Sequence, residues 1–169
     1  MKRIWAAVLM IGLAAMGCGA KEAGTPVPAG FRKPAADFNV KTLDGGSLKL
    51  SSLKGKVVLL DFWATWCPPC QEEIPYFKEL YSQYKDKGLE IIGLSIDQDG
   101  EAAVRPFAKK NVVNYPLSIA DQTLTVAYGG IRGIPTTFLI DKQGRIAQKY
   151  EGKREKEVFE KEIQALLAE

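Results

Sequence analysis

The stretch "LLDFWATWCPPCQEEIPYF", residues 59–77, sets two cysteines around two prolines directly after an apolar run. That run, "VVLLDFW" (57–63), is nearly continuous, the pattern of a strand covered on both faces, yet it holds an acid, Asp61. After the cysteines, Ile74, Phe77, Leu80, Tyr81 and Tyr84 recur at helical spacing. They predict a helix from about Pro68 to Tyr84, kinked at Pro75. A C-x-x-C between a buried strand and a helix is a context for redox chemistry. The first sulfur of such a pair faces free N–H groups and the positive end of the helix dipole, which favour the thiolate. Cys67 is therefore read as the attacking thiol. Cys70, one turn on and deeper, is read as the resolving one. An inert bridge is the weaker reading, because a disulfide closing so short a loop constrains little of the unfolded chain.

Outward from this stretch, strands and helices alternate. "ADFNVKTLDGGSLKLSSLKGK" (36–56) reads as a hairpin turning at "DGG", followed by a helical turn at Ser51–Leu53. "LEIIGLSID" (89–97) is a second buried strand, reached by a right-handed crossover. "EAAVRPFAKKN" (101–111) reads as a helix interrupted or started late by Pro106, and "YPLSIA" (115–120) as a further strand. A short helix around "TLTVAYG" leads to "GIPTTFLID" (133–141) and "KQGRIAQKYEG" (142–152), an antiparallel pair turning at Lys142–Gly144. The amphipathic "EKEVFEKEIQALLAE" (155–169) is a closing helix. The expected class is α/β, a central mixed β-sheet flanked by helices, with an N-terminal hairpin and an inserted strand–helix segment.

The N-terminus reads differently. Lys2 and Arg3 precede an apolar run from Ile4 to Met16, too short to span a bilayer as a mature helix, and small residues follow. Residues 1–17 are expected to be a secretory signal, 18–36 a Pro/Gly/Ala-rich linker, and 37–169 the folded domain. "AMGC" resembles the lipobox of bacterial lipoproteins, with Ala15 where Leu is usual. Cleavage after Gly17 or Ala20 also fits. Lipidation of Cys18 is preferred, because a lone thiol in an oxidising compartment is a liability that acylation removes. The expected location is extracytoplasmic or periplasmic, reached by secretion across the inner membrane, with a lipid anchor.

Composition excludes several classes. Of 23 basic residues the leader removes Lys2 and Arg3, leaving 21 against 20 acids, with no electrostatic footprint for nucleic acid. The chain has no histidine. Ser-His and Cys-His hydrolases and His-ligated haem are thereby excluded, and Gln71 stands where a c-type haem site needs His. Three cysteines do not supply an ordinary zinc site. No metal and no cofactor are expected beyond a redox-active Cys67–Cys70 disulfide.

With "VVLLDFWATWCPPC", the helix proline Pro75 and "GIPTTFLID" in place, the chain resembles thioredoxin-fold proteins over about residues 35–168. The inserted segment, the hairpin and the secretory start resemble the ResA/TlpA-like extracytoplasmic branch, thiol-disulfide oxidoreductases often acting as reductants in cytochrome c maturation. The resemblance implies that Pro135 is cis and that the Ile134 backbone offers hydrogen bonds to a bound chain. It also implies that Trp63, Trp66 and Ile134 rim the site, although simple packing accounts equally well for Trp63. Asp61 falls where thioredoxin has a buried proton-moving Asp, and Glu73 where the ResA-like branch has an active-site Glu. Either could serve Cys70. The implied partners are protein disulfides, apocytochrome c among them, and a membrane thiol donor; a monomer is expected.

The two prolines bear on the direction of electron flow. Pro68 and Pro69 offer the Cys67 sulfur no N–H, leaving Cys70 and more distal amides. One missing charge-assisted hydrogen bond is worth roughly 1.5–3 kcal/mol. That shifts a dithiol couple by about 30–60 mV toward reducing, of the ~150 mV that separates strong oxidants from thioredoxin. A reductase is favoured. A peroxiredoxin-type peroxidase expects P-x-x-x-T-x-x-C, which does not surround Cys67, and a non-catalytic binding module would not need the helix-terminal pair.

Overall fold

The apolar run 57–63 is one of the two central strands of the sheet. The structure is a computed structural model that describes residues 26–169. In chain order the strands are β1 (Lys33–Pro34), β2 (Asn39–Lys41), β3 (Ser47–Lys49) and β4 (Val57–Trp63). Helix α1 (Pro68–Tyr84) follows, then β5 (Leu89–Ser95), α2 (Glu101–Asn111), β6 (Leu117–Ile119) and α3 (Gln122–Ala127). The chain closes with β7 (Thr136–Ile140), β8 (Arg145–Glu151) and α4 (Lys156–Ala168). The main sheet has the order β1-β8-β7-β4-β5-β6, with β4, β5 and β6 parallel and β7, β8 and β1 antiparallel to their neighbours. This is the thioredoxin-like α/β fold expected from the sequence.

Every residue of β4 is buried, and its alternation feeds two cores. Val57, Leu59 and Trp63 pack with Ile74, Phe77 and Leu80 of α1 and Phe159 and Ile163 of α4. Val58, Leu60 and Phe62 pack on the other face with Phe38, Leu50, Leu124 and Phe138. Period-two alternation therefore assigns Asp61 to the α1 face. Gly93 is its parallel neighbour on β5. A Cβ at Gly93 would come within 2.5 Å of Leu117 Cδ2 and 3.0 Å of Trp63 Nε1, so the glycine is required by close packing beside the acid.

The hairpin β2–β3 forms a sheet of its own, turned at Asp44–Gly46, where Gly45 has φ 91°. It is tied to β6 through a bridge between Thr42 and Ser118 and a 2.8 Å bond from Ser118 Oγ to Lys41 O.

Two expectations are corrected. Helix α2 is continuous across Pro106 and begins at Glu101. Its first turn is set by Asp97–Gly100, whose carbonyls accept the N–H groups of Gly100, Ala102, Ala103 and Val104, and fully buried Val104 anchors it, so one lost internal bond is tolerated. The second concerns the linker. Residues 1–25, including the expected leader and Cys18, lie outside the described residues, but order begins before residue 37. Ala29–Phe31 form a 3-10 turn, and Lys33–Pro34 pair with Ile146 and Arg145 of β8. Arg32, its side chain almost fully buried, donates from Nη1 and Nη2 to Glu169 at 2.6 and 2.8 Å, from Nη1 to Asp141 at 3.2 Å and from Nε to Val27 O at 2.8 Å. Burial pushes the Asp141 carboxyl up, but donors from Arg145 and Arg32 outweigh it and hold it below the usual range. A Pro/Ala-rich segment becomes part of the domain because one arginine satisfies acids more than a hundred residues away.

The Gly93 contact generates a test. Gly93→Ala is expected to destabilise the protein by about 1–3 kcal/mol, the range for overpacking, read from chemical denaturation.

Candidate active site

The site lies where β4 passes into α1. Cys67 is the residue before the helix, and its sulfur accepts the Cys70 N–H at 3.3 Å. Pro68 and Pro69 occupy the first helical positions, where a missing N–H leaves no helical bond unmade. The sequence-based expectation that Cys70 supplies the sulfur's nearest amide matches this geometry. Cys67 and Cys70 form a disulfide, with residue exposures of 4% and 2%.

Around it, Trp66 is 63% exposed, the most prominent apolar surface beside the cysteines. Trp63 is not on the rim. It is buried against Phe107, ring centroids 5.3 Å apart, because strand alternation turns it into the α1-face core. The Ile134–Pro135 bond is cis. The register Phe62–Thr136 brings Pro135 to the sheet end where β4 gives way to the cysteine turn. The Pro135 carbonyl accepts the Gly152 N–H at 2.8 Å, and half-buried Ile134 packs against the core cluster that contains both cysteines.

Both candidate acids are buried on the α1 face. Asp61 accepts a 3.0 Å bond from Thr137 Oγ1, and burial pushes its carboxyl up to about 7 against the lowering effect of that bond. Glu73 is 0% exposed, although acids in a helix's first turns ordinarily face solvent. Its Oε1 accepts the Arg154 N–H at 2.7 Å, while Oε2 is a buried oxygen with no partner among the described residues. Burial, then the charge of Asp61, pushes the Glu73 carboxyl up to about 8; the Arg154 N–H and the charges of Lys153 and Arg154 oppose this. A neutral acid tolerates an unmet oxygen far better than an anion does. Tyr115 joins the group: burial first, then the charges of Asp61 and Glu73, raises its phenol well above the ordinary value.

Thr137, Tyr115 and the Gly152–Arg154 loop, whose N–H groups brace both the cis-proline carbonyl and Glu73, are further members of the site. None has a local signal, since each reaches the site by tertiary packing. The arrangement combines a sulfur placed on a helix start with two acids that hold protons near neutrality. Among the described residues no three Cys, Asp or Glu side chains form a group that could hold a metal.

Residues 31–149 match the family described as the AhpC/TSA family. A thiol-disulfide oxidoreductase ResA of Bacillus cereus is 42% identical over 134 residues, 79% of this chain and 77% of that protein. A ResA of Geobacillus kaustophilus is 37% identical over 142 residues, 84% and 80% of the two chains. Among solved structures, a thiol:disulfide interchange protein from Chlorobium tepidum TLS superposes with TM-score 0.75 at 33% identity, covering 80% of this chain and 97% of its own. StoA from Bacillus subtilis gives 0.66 at 28%, covering 75% and 96%.

The raised acids make stability depend on pH. Between about 4 and 7 the unfolded chain has released the Asp61 proton while the folded chain keeps it, so stability falls as pH rises through that window; Glu73 extends the fall to about 8. Asp61→Asn is expected to flatten this slope and to stabilise the protein at pH 8 by about 1–3 kcal/mol, read from thermal melts across pH 4–9.

Proposed function

The chain belongs to the AhpC/TSA family and is a thioredoxin-fold thiol-disulfide oxidoreductase, and from that premise we propose that it reduces protein disulfides outside the cytoplasm. The observation that carries the reading is the Cys67 sulfur seated on the Cys70 N–H at the start of α1. In the reduced protein that contact favours the Cys67 thiolate.

The Cys67 thiolate attacks one sulfur of a substrate disulfide, forming a mixed disulfide and releasing the other sulfur as a thiolate, which takes up a proton. Cys70 then gives its proton to a base and attacks the Cys67 sulfur. The Cys67–Cys70 disulfide forms, and the second substrate thiol leaves. Two electrons pass from the dithiol to the substrate, and a thiol donor at the membrane restores the dithiol by the same exchange. Without histidine, the base near neutral pH is a carboxylate, and Asp61 and Glu73 are the two whose proton affinities suit it. Glu73 lies three residues after Cys70 on one face of α1, which favours it for the transfer itself. Asp61 raises Glu73's affinity and acts as its reserve. Trp66, Ile134 and Pro135 receive the substrate segment. Among the described residues, Ile134 keeps its backbone N–H and C=O outside the protein's own hydrogen bonds, as an incoming extended chain requires.

The leader-like residues 1–17, the "AMGC" segment and the reducing bias of the two prolines support export, lipid attachment at Cys18 and a reducing role, with disulfides of secreted apocytochrome c among the substrates. Among the described residues no helix is long and apolar enough to cross a membrane.

Quench-flow on a model protein disulfide tests the chemistry. Cys67→Ala should lose all reduction, Cys70→Ala should accumulate a mixed disulfide through Cys67, and Glu73→Gln should slow release more than attachment. Substrate trapped on Cys70 would reverse the roles. For location, intact mass of the membrane fraction should show a diacylated Cys18, and Cys18→Ala should move the protein to the soluble fraction; an unmodified chain starting after Gly17 or Ala20 would refute the anchor.

A further inference from the structure

Ala64–Trp66, the turn between β4 and α1, is neither strand nor helix, yet its middle residue is held at three atoms. Asp97 Oδ2 accepts the Thr65 N–H at 2.9 Å, and Asp97 Oδ1 accepts Thr65 Oγ1 at 2.5 Å. Gln71 Nε2 donates to the Thr65 carbonyl at 2.6 Å. Asp97 is 6% exposed, and Ser95 at the end of β5 completes its surroundings: Ser95 Oγ donates to Oδ2 at 2.6 Å and accepts the Asp97 N–H at 3.0 Å. The carboxylate therefore meets three donors, two of them from a single residue of the active-site turn. A buried carboxylate is costly unless its lone pairs are met, and here they are met by the segment that leads to Cys67. Nothing in the mechanism above uses it.

We propose that Asp97 is a positioning residue for Cys67: through Thr65 it holds the turn in the conformation that sets the Cys67 sulfur on the Cys70 N–H. Thr65 stands two residues before Cys67, and the Cys67 N–H closes the turn on Ala64 O at 3.2 Å. Cys67 is extended, at φ −95° and ψ 103°, as a residue capping a helix must be. A turn freed from Asp97 samples other conformations, in which the sulfur loses its donor and the thiolate its stabilisation. Asp97 also begins the connection to α2, its backbone carbonyl accepting the Gly100 N–H at 3.0 Å, so reactivity at Cys67 depends on the segment inserted after β5. The inference rests on the reading of Cys67 as the attacking thiol.

The test is peptide-resolved alkylation of Cys67 by iodoacetamide in the reduced full chain, followed across pH, alongside thermal melts and the disulfide-reduction assay. Asp97→Asn turns one acceptor into a donor facing Thr65. Thr65→Val removes the hydroxyl and keeps the shape, and Thr65→Ser keeps the hydroxyl. Asp97→Asn and Thr65→Val are expected to slow alkylation at neutral pH about tenfold and to raise its pH midpoint by about one unit, the effect of one lost charge-assisted bond. Thr65→Ser is expected to stay within about twofold of wild type. Lowered melting temperatures with unchanged rates and midpoints would make Asp97 a purely structural residue and overturn the proposal, as would a Thr65→Ser variant behaving like Thr65→Val. Should Asp97→Asn not fold, the Thr65 pair decides alone. Wild-type protein inert toward protein disulfides, with Cys67 alkylation still responding to these variants, would refute the functional reading and support this one.

Discussion

Burial of β4 on both faces is the constraint on which the site depends. A strand packed between two cores offers no water to a side chain, so an acid placed within it is held near neutrality in its protonated form. The same strand ends at the turn that carries the reactive sulfur. One element thus supplies the rigid platform for Cys67 and the dry surroundings that keep the Asp61 carboxyl protonated up to near neutral pH. Gly93 shows the tightness involved: even a methyl group on the neighbouring strand has no room.

The two acids form a graded pair. Each is raised by burial, and Asp61 raises Glu73 further. Glu73 is held at one oxygen by the Arg154 N–H, on a loop whose Gly152 N–H also holds the Pro135 carbonyl. The loop after β8 therefore meets both the acid proposed to move the proton and the surface proposed for substrate, so the proposed mechanism couples recognition and proton transfer through one short backbone segment.

The sequence made some of this legible and hid the rest, for identifiable reasons. β4 and α1 could be read because long apolar runs and helical spacing are local signals, and the cysteine pair between them carries its own chemistry. Trp63 was ambiguous: its type suits a rim, and only the strand's alternation decides for the core. Glu73 could be picked out only through the family resemblance, because an acid in a helix's first turns normally gains from solvent and dipole together; its burial is imposed by a loop 81 residues downstream. β1 was invisible, since a two-residue edge strand containing proline has no period to detect. Asp97 closes the run read as a strand, and no local signal ties it to the cysteine turn 32 residues earlier.

The Arg32 anchor has a mechanical consequence. A pull on the chain ahead of residue 26 reaches the domain through Val27, whose N–H is held by Ala147 of β8, and through Arg32, held by Glu169 at the end of α4 and Asp141 just after β7, all beside the β1 edge of the sheet. Two strands, β8 and β7, separate that edge from β4. Tension therefore loads β1 and β8 in shear before it reaches the reactive turn, much as a cable grip spares its connector. With the proposed N-terminal anchor, the domain would swing and strain against its mooring while the sulfur stays seated on its helix.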